Sequence, residues 1–497
     1  MSKLTRISVL VAFFFGLDKV IAFLRSVIIA RQFGLSKELD AFNVANNIPD
    51  LLFALISGGA LAMAFIPVLS ETLTREGRES TWALFSRIAN LAFLTTAGLA
   101  LLVGLLAGTL VRSQVGIAPG FGPEQQNLVI QLMRLNLIAT LIFSISGLVM
   151  AGLQANQHFL LPAMAPLLYN TGQIFGAVVL APEQGYQIAG ITLPAFGLGV
   201  QGLVYGVIIG AILHLGIQVP GLVLHHFHWT PRIDLPDPSV RKVLALMGPR
   251  LFTMLMVQLI FIVRDNLASR LEEGAVTSLT YGWMIMQVPE TLIGTAIGIA
   301  LLPTLSEMIA REEREAFHAT IQRAVQVILA VTLPISVLLG AGLPPLLAAA
   351  FDFGIGGTDL LVWVTRGFLV GLAGQCLLEI AVRSFYARQD AITPMITAGI
   401  NLGVFIVLGI ILFRILGAPG ISLADSLAFT SQAILLLIIL NRHLVRSLSP
   451  GPSLLRAMLA AAAGGTVVYL VGTVFQEFTR PLIVGSAALF LGGLASL

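Results

Sequence analysis

Apolar stretches of about 20 residues follow one another along the chain, separated by short polar breaks and Pro/Gly turns. They begin near residues 7, 40, 82, 127, 158, 196, 240, 276, 316, 359, 392, 417, 454 and 480. At 1.5 Å rise per residue, about 20 apolar residues cross the roughly 30 Å hydrocarbon layer of a bilayer. The pattern therefore predicts an all-α polytopic membrane protein of about 14 transmembrane helices. The longest breaks, about residues 112–126, 182–195 and 225–240, leave no room for a soluble domain and are expected to be loops. Any chemistry is placed in or beside the membrane.

Composition agrees with this pattern. Of 497 residues, 57% are apolar and 11% are charged, against about 25% charged in soluble domains, and the mean hydropathy is +0.93. Cys376 is the single cysteine, which excludes a disulfide within the chain and any cysteine-based metal cluster. Lys3 and Arg6 precede an apolar stretch that Asp18 and Lys19 interrupt, with no small-residue cleavage site after it. This predicts a retained first helix rather than a signal peptide.

The net charge of +3 matters less than where the bases fall. With the N-terminus inside, the inside connections hold 14 of the 28 Lys and Arg and the outside connections hold 6. The positive-inside rule then puts both termini in the cytoplasm of a multi-pass protein in the cytoplasmic membrane. Eight bases remain within spans: Lys19, Arg25, Arg87, Arg134, Arg250, Arg264, Arg366 and Arg383.

Self-comparison reveals a tandem repeat. Leu24-Arg-Ser-Val-Ile-Ile-Ala-Arg31 resembles Val263-Arg-Asp-Asn-Leu-Ala-Ser-Arg270, each with two arginines six apart. Downstream, Ile48-Pro-Asp-Leu-Leu52 parallels Val288-Pro-Glu-Thr-Leu292, and Ile66-Pro-Val-Leu-Ser-Glu71 parallels Leu302-Pro-Thr-Leu-Ser-Glu307. Six spans separate the copies, an even number, so both halves cross in the same direction. The expected organisation is an N-terminal six-helix lobe over 1–230, a parallel-related six-helix lobe over 231–445, and a helix pair over 446–497. Substrate sites in parallel-repeat transporters lie at the repeat interface, which makes Arg25 and Arg264 expected partners across a central cavity.

On the first helix, Asp18 and Arg25 fall within about 20° of one another, and Lys19 and Ser26 share an adjoining face. Lys19 sits about 17 Å into the span, near the bilayer midplane. A base at that depth costs several kcal/mol unless it faces a wet cavity or a partner. Two uses are open for Lys19 and Arg25, an anion site or a buried pair with Asp18, and Arg25 also has the option of snorkelling. Arg31, Arg87, Arg134 and Arg366 lie near span ends or lack a polar face, so snorkelling or packing is expected of them. Arg250 follows Gly248-Pro249 early in the seventh span and stands between the two uses.

The second span adds Asp40, Asn43, Asn46, Asn47 and Asp50, mostly at three- and four-residue steps, with a proline kink at Pro49. Such groups bind sugar or peptide, neutralise the bases of the first span, or bond between helices. Asp265, beside Arg264, either pairs with that arginine or holds a coupling cation. Gly197-x-Gly199-x-x-Gly202 fits a dinucleotide pattern but lacks its βαβ context, and Gly202, Gly206 and Gly210 at four-residue spacing read as close helix packing. His225, His226 and His228 form a His-rich loop with no convincing further metal ligand.

Several of these stretches together resemble one family. They are Arg25-x5-Arg31-x-Phe33-Gly34, Asp40-Ala-Phe42, Ile48-Pro-x-Leu-Leu52, Ala64-Phe-Ile-Pro67, Leu301-Leu-Pro-Thr-Leu-Ser306 and Ser384-Phe-Tyr-Ala-Arg-Gln-Asp-Ala-Ile-Thr-Pro394. The chain is similar, over nearly its whole length, to the MurJ/MviN family of lipid II flippases within the multidrug/oligosaccharidyl-lipid/polysaccharide exporter superfamily. The resemblance implies fourteen helices, two six-helix lobes around a cationic cavity, and a last helix pair grooved for a polyprenyl tail. It also implies transport rather than enzymatic turnover: movement of undecaprenyl-diphosphate-linked disaccharide-pentapeptide from the inner to the outer leaflet for cell wall synthesis. The implied partners are a polyprenyl-diphosphate glycolipid, membrane lipid and cell wall synthesis proteins, with no nucleic acid. No bound cofactor is implied, and coupling falls to Na+ or H+ or to the membrane potential.

The family's cavity bases map onto Lys19, where arginine is commoner, and Arg25, and its acid maps onto Asp40. The substrate-binding set is then Lys19, Arg25, Asp40, Asn46, Asn47, Asp50, Arg250 and Arg264, with Asp265 as the cation candidate. The chain departs from the family at Leu52-Phe53-Ala54 and Gly58-Gly59-Ala60, where Leu-Leu-Arg-Arg and Glu-Gly-Ala are typical. It departs again at Tyr281-Gly-Trp-Met284, where Tyr-Ala-Asp-Arg is usual, and at Ser26, where an acid often stands. Two cavity arginines are missing, which keeps a flippase for another polyprenyl-linked glycan in view. An amphipathic drug exporter is expected to carry an acidic and aromatic cavity, and a membrane glycosyltransferase needs an acidic metal site and a sizeable extramembrane region.

Overall fold

A computed structural model describes residues 3–56, 59–188, 190–449, 451–475 and 481–496; the side chains of 3–10, 12, 59–64, 188, 249, 250, 355, 472–475 and 481–488 lie outside that description. The helices are α1 (Lys3–Phe33), α2 (Lys37–Ile56), α3 (Gly59–Arg75), α4 (Arg78–Arg112), α5 (Pro123–Ala155), α6 (Leu160–Phe175), α7 (Val200–Gly216), α8 (Val219–Leu224) and α9 (Pro238–Ala268). There follow α10 (Ala275–Glu290), α11 (Ala296–Ala310), α12 (Arg314–Phe351), α13 (Gly354–Val370), α14 (Leu372–Ala387), α15 (Ile392–Leu416), α16 (Ala418–Asn441), α17 (Gly451–Phe475) and α18 (Pro481–Ser496). Single π-helical turns extend α6 (Gly176–Leu180) and join α10 to α11 (Thr291–Thr295). Within the 182–195 loop stands a two-stranded antiparallel hairpin, β1 (Gln187–Ile188) and β2 (Ile191–Thr192), which the hydropathy pattern does not disclose.

Among the described residues, eleven helical segments are long and apolar enough to cross a membrane. α1, which carries Asp18, Lys19 and Arg25, the α2–α3 pair, and α18 bring the crossings to fourteen. Each expected span start lies within a few residues of a helix start. Apolar runs of this length satisfy their backbone groups internally only as helices, so hydropathy alone sets the secondary structure.

The chain forms two compact units, Met1–Gln258 and Leu259–Leu497, and the division falls within α9. The first is centred on Phe65, Trp82, Phe85, Leu148 and Val243. The second is centred on Leu305, Phe317, Ile321, Phe385 and Leu436. In the second unit α17 and α18 pack on each other and on α12.

The duplication runs well beyond the segments that betray it in sequence. Gln157 (φ +60°) and Gln389 (φ +61°) occupy the same left-handed turn, each five residues before a proline, Pro162 or Pro394. In both turns the next residue's N–H closes a bond five residues back, His158 to Leu153 and Asp390 to Phe385, as in a Schellman ending. Gly199 and Gly417 start α7 and α16 with φ +55° and +64° and the same ψ of −139°. Arg134 Nε donates to the Gly104 carbonyl at 2.9 Å and Arg366 Nε to the Gly340 carbonyl at 2.7 Å, each reaching the neighbouring long helix. These pairs relate α4 and α5 to α12 and α13, far from the recognisable repeat.

The Phe-Tyr-Ala-Arg-Gln-Asp-Ala-Ile-Thr-Pro block is the α14–α15 corner. Asp390 Oδ1 accepts the N–H groups of Ile392 and Thr393, and Oδ2 accepts the Thr393 hydroxyl, which caps α15. Partial burial acts to raise the Asp390 pKa, but the Thr393 hydroxyl, these N–H groups and Arg388 outweigh it and hold the carboxyl below the usual aspartate range. The stability it contributes is therefore complete above the unfolded value of about 3.9 and is lost as pH falls through the lower folded value. Asp390→Ala is expected to cost about 1 kcal/mol at neutral pH. Thermal unfolding in detergent measures this, and the difference from the parent protein should shrink as pH is taken well below 4.

The glycine spacing on α7 has a direct structural counterpart. A Cβ at Gly172 would meet the Gly210 Cα at 2.4 Å, and one at Gly176 would meet the Gly206 Cα at 2.6 Å, so the backbones of α6 and α7 touch. Gly210→Val is expected to destabilise by about 1–3 kcal/mol through overpacking. It should also displace α6 and the polar groups that α6 carries toward α1, seen as a lower unfolding temperature together with weaker ligand binding.

Candidate functional site

In the first unit the centre of polarity is the α1–α6 contact. Asp18 is buried, Arg25 is half-buried, and Asn170 of α6 lies between them. Arg25 Nη1 donates to Asn170 Oδ1 at 2.7 Å, and Asn170 Nδ2 donates to Asp18 Oδ1 at 2.7 Å. Arg25 Nε is buried with no hydrogen-bond partner. Among the described residues no carboxylate lies within 4.0 Å of the guanidinium, so Arg25 has no direct ion pair there. Lys19, on the adjoining face, is exposed. The direct Asp18–Arg25 pair open to the sequence is thus replaced by an amide bridge.

The α2 residues divide. Asp40 is buried, Asn46 Oδ1 accepts a 2.6 Å bond from Asn136 of α5, and Asn47 is half-buried. Asp50 is exposed and, with Arg25, acts electrostatically on Tyr169 of α6. Arg25, Asp50 and Tyr169 therefore share one neighbourhood. Asn46 serves a helix contact, while Asp50 is left open to a ligand. The side chain of Arg250 lies outside the described residues, as do Gly58 and the side chains near it.

Phe53 packs at a tilt on Phe143 of α5 (5.4 Å between ring centroids), and Phe143 in turn meets Tyr169 (5.0 Å) and His214 (5.3 Å) edge-to-face. An aromatic row thus runs from Phe53 to Tyr169, the residue that Arg25 acts on. Ser26, where an acid is common, is buried and bonds back to the Ala22 carbonyl. Met284 is half-buried on α10, next to Trp283, which packs on Phe261, Phe368 and Phe429.

The repeat partner Arg264 has a different environment. It is 6% exposed, with Nε 3.5 Å from Asp265 Oδ1 and the guanidinium 4.7 Å from the Phe261 ring centroid. Asp425 of α16, 3% exposed, lies within its electrostatic reach. Of the two uses open to Asp265, pairing with Arg264 is the one seen. Arg264, Asp265 and Asp425 thus form one buried polar cluster. Among the described residues no three His, Cys, Asp or Glu side chains converge as a metal site.

The remaining span bases have local partners. Arg87 pairs with Asp237, Arg383 with Glu379 at 2.8 Å, and Arg134 and Arg366 bond the glycine carbonyls described above. Arg366 also lies over Trp363 and lines a cavity of about 500 Å3 between α12, α13 and α17, with Leu333, Val337, Leu369 and Met458. In the first unit a cavity of about 610 Å3 is bordered almost wholly by aliphatic side chains of α2, α4 and α9. Sequence reading missed Asn170, Tyr169 and Asp425. Polar residues within spans were the available signal, but only packing shows which of them meet.

Two compact helical units built from one repeated set of crossings, with cations retained inside membrane helices, define a multi-span transporter of the repeat-built exporter class. A multidrug resistance MATE family transporter of the MOP superfamily, solved in an inward-facing conformation, has this fold (TM-score 0.69, 14% identity, 90% of this chain and 95% of that one). So does lipid II flippase MurJ in an inward closed conformation (TM-score 0.77, 21% identity, 97% and 98%). The chain belongs to the family described as Lipid II flippase MurJ, which matches residues 29–490. The lipid II flippase MurJ of Burkholderia cenocepacia is 30% identical over 447 residues, covering 88% of this chain and 83% of that protein. The probable lipid II flippase MurJ of Rhizobium tropici is 28% identical over 461 residues, 91% and 84%.

Proposed function

We propose that this protein is a lipid II flippase, carrying the diphosphate-linked head group from the inner to the outer leaflet for cell wall synthesis. The observation that carries the reading, within a chain of this family, is Arg25: a guanidinium inside a membrane helix, held by a neutral amide, with its buried Nε–H unpartnered. A diphosphate crossing an apolar layer needs such a partner, because arginine offers charge-assisted, bidentate bonds to phosphate oxygens. Lys19 adds a second cation about 9 Å along the same helix, and Asp50 with Asn47 is suited to the sugar and peptide portions. Rocking of one repeat against the other would move the head group while the tail stays in hydrocarbon. The cavity between α12, α13 and α17 is wide and apolar enough for a polyprenyl segment.

Coupling is proposed to use the buried Arg264, Asp265 and Asp425 cluster, whose carboxylates are the groups a Na+ or H+ would engage; the membrane potential is the other source. The location is the cytoplasmic, inner membrane with both termini inside, in keeping with the distribution of bases. Cell wall synthesis proteins are the proposed partners. A second reading, a flippase for another polyprenyl-linked glycan, is favoured by the aromatic row at Phe53, Phe143 and Tyr169, which replaces a family cation with ring surface suited to sugar.

The test is reconstitution of the purified protein in vesicles with labelled lipid II, measuring how fast the label becomes accessible from the opposite side. Cells depleted of the protein should accumulate lipid II on the inner leaflet. Movement of a different polyprenyl glycan in place of lipid II would establish the second reading, and movement of neither would refute both.

A further inference from the structure

We propose that Asn170 is a positioning residue that keeps Arg25 available to an anionic ligand, by standing as a neutral amide between the guanidinium and Asp18. This rests on the reading of Arg25 as the diphosphate grip. Asp18 and Arg25 lie on one face of α1, seven residues and about 10.5 Å apart along the axis. A group from another helix is therefore needed to join them, and α6 supplies it. The amide's orientation follows from its partners: a guanidinium only donates and a carboxylate only accepts, so Oδ1 faces Arg25 and Nδ2 faces Asp18.

This arrangement satisfies the buried Asp18 carboxylate without bringing it to Arg25. A carboxylate in Asn170's place would form a charge-assisted pair with Arg25 and cancel its charge. As built, only one Arg25 N–H is used by Asn170, and the buried Nε–H has no partner. Asn170 itself is 4% exposed. Its helix is held by the glycine contact two residues on, where the α6 and α7 backbones touch at Gly172 and Gly210. The amide is thus a fixed spacer, and it decides whether α1 presents a cation or a neutral pair.

The experiment measures binding of undecaprenyl diphosphate to the full-length protein in detergent, with thermal unfolding recorded for each variant. Asn170→Asp should weaken binding about tenfold or more, with affinity returning as pH falls and the introduced carboxylate protonates. Asp18→Asn, which keeps the spacer, should bind within about twofold of the parent. The exchange Asp18→Asn with Asn170→Asp preserves both hydrogen bonds and the total charge, so it should unfold like the parent and still bind weakly. Parent-like binding by the exchanged protein would overturn the proposal, because Asn170 would then be only a bridge. Equal losses in Asp18→Asn and Asn170→Asp would overturn it as well. Unchanged binding by Arg25→Ala would instead bring down the reading of Arg25, and this inference with it.

Discussion

Arg25→Ala is expected to abolish flipping while leaving a folded protein in the membrane. Removing a guanidinium that makes two charge-assisted bonds to a diphosphate, each worth about 1.5–3 kcal/mol, lowers affinity by roughly two to four orders of magnitude. The folding cost is smaller. Arg25 is half-buried, and its loss leaves the Asn170 Oδ1 unpaired while the Asn170–Asp18 bond survives, a penalty of about 1–3 kcal/mol. Lipid II movement in vesicles and unfolding temperature in detergent separate the two effects. Parent-like transport by Arg25→Ala would remove the main support for the proposed function.

Arg264→Ala is expected to fail differently, through folding before transport. The sequence treats Arg264 as the twin of Arg25, but the side chain is buried against Asp265 and Phe261 with Asp425 in reach. Its removal takes the counter-charge from two buried carboxylates, and breaking a buried pair in this way costs about 3–5 kcal/mol. Membrane yield and unfolding temperature should both drop, and adding Asp265→Asn and Asp425→Asn should restore them. If transport returns with folding in that triple variant, Arg264 is a structural counter-charge rather than a ligand contact. Full activity after removing both Arg25 and Arg264 would end the idea of a cation pair altogether.

The repeat carries a lesson about what ancestry preserves. Arg134 and Arg366, which read from sequence as two unrelated snorkelling bases, make the same bond to equivalent glycine carbonyls. Arg25 and Arg264, which align in sequence, meet unlike partners: a neutral amide in one unit and two acids in the other. Equivalent position is thus no guide to equivalent charge environment, since the partner comes from a different helix each time.

Hydropathy alone specified fourteen crossings and their starts, because a helix in lipid must satisfy its own backbone bonds and needs a fixed length to cross, and matching motifs revealed the duplication. The glycine stripe on α7 was legible for a related reason: four-residue spacing puts small residues on one helix face. The polar site was legible only by half. Period and depth show that Asp18, Lys19 and Arg25 share a region of α1, but not what faces them. Asn170 is 145 residues from Arg25 in the chain, and only the docking of α6 on α1 turns an apparent ion pair into a cation held by an amide. Which charges remain free inside the membrane was decided there, by contacts between helices whose sequences carry no mark of each other.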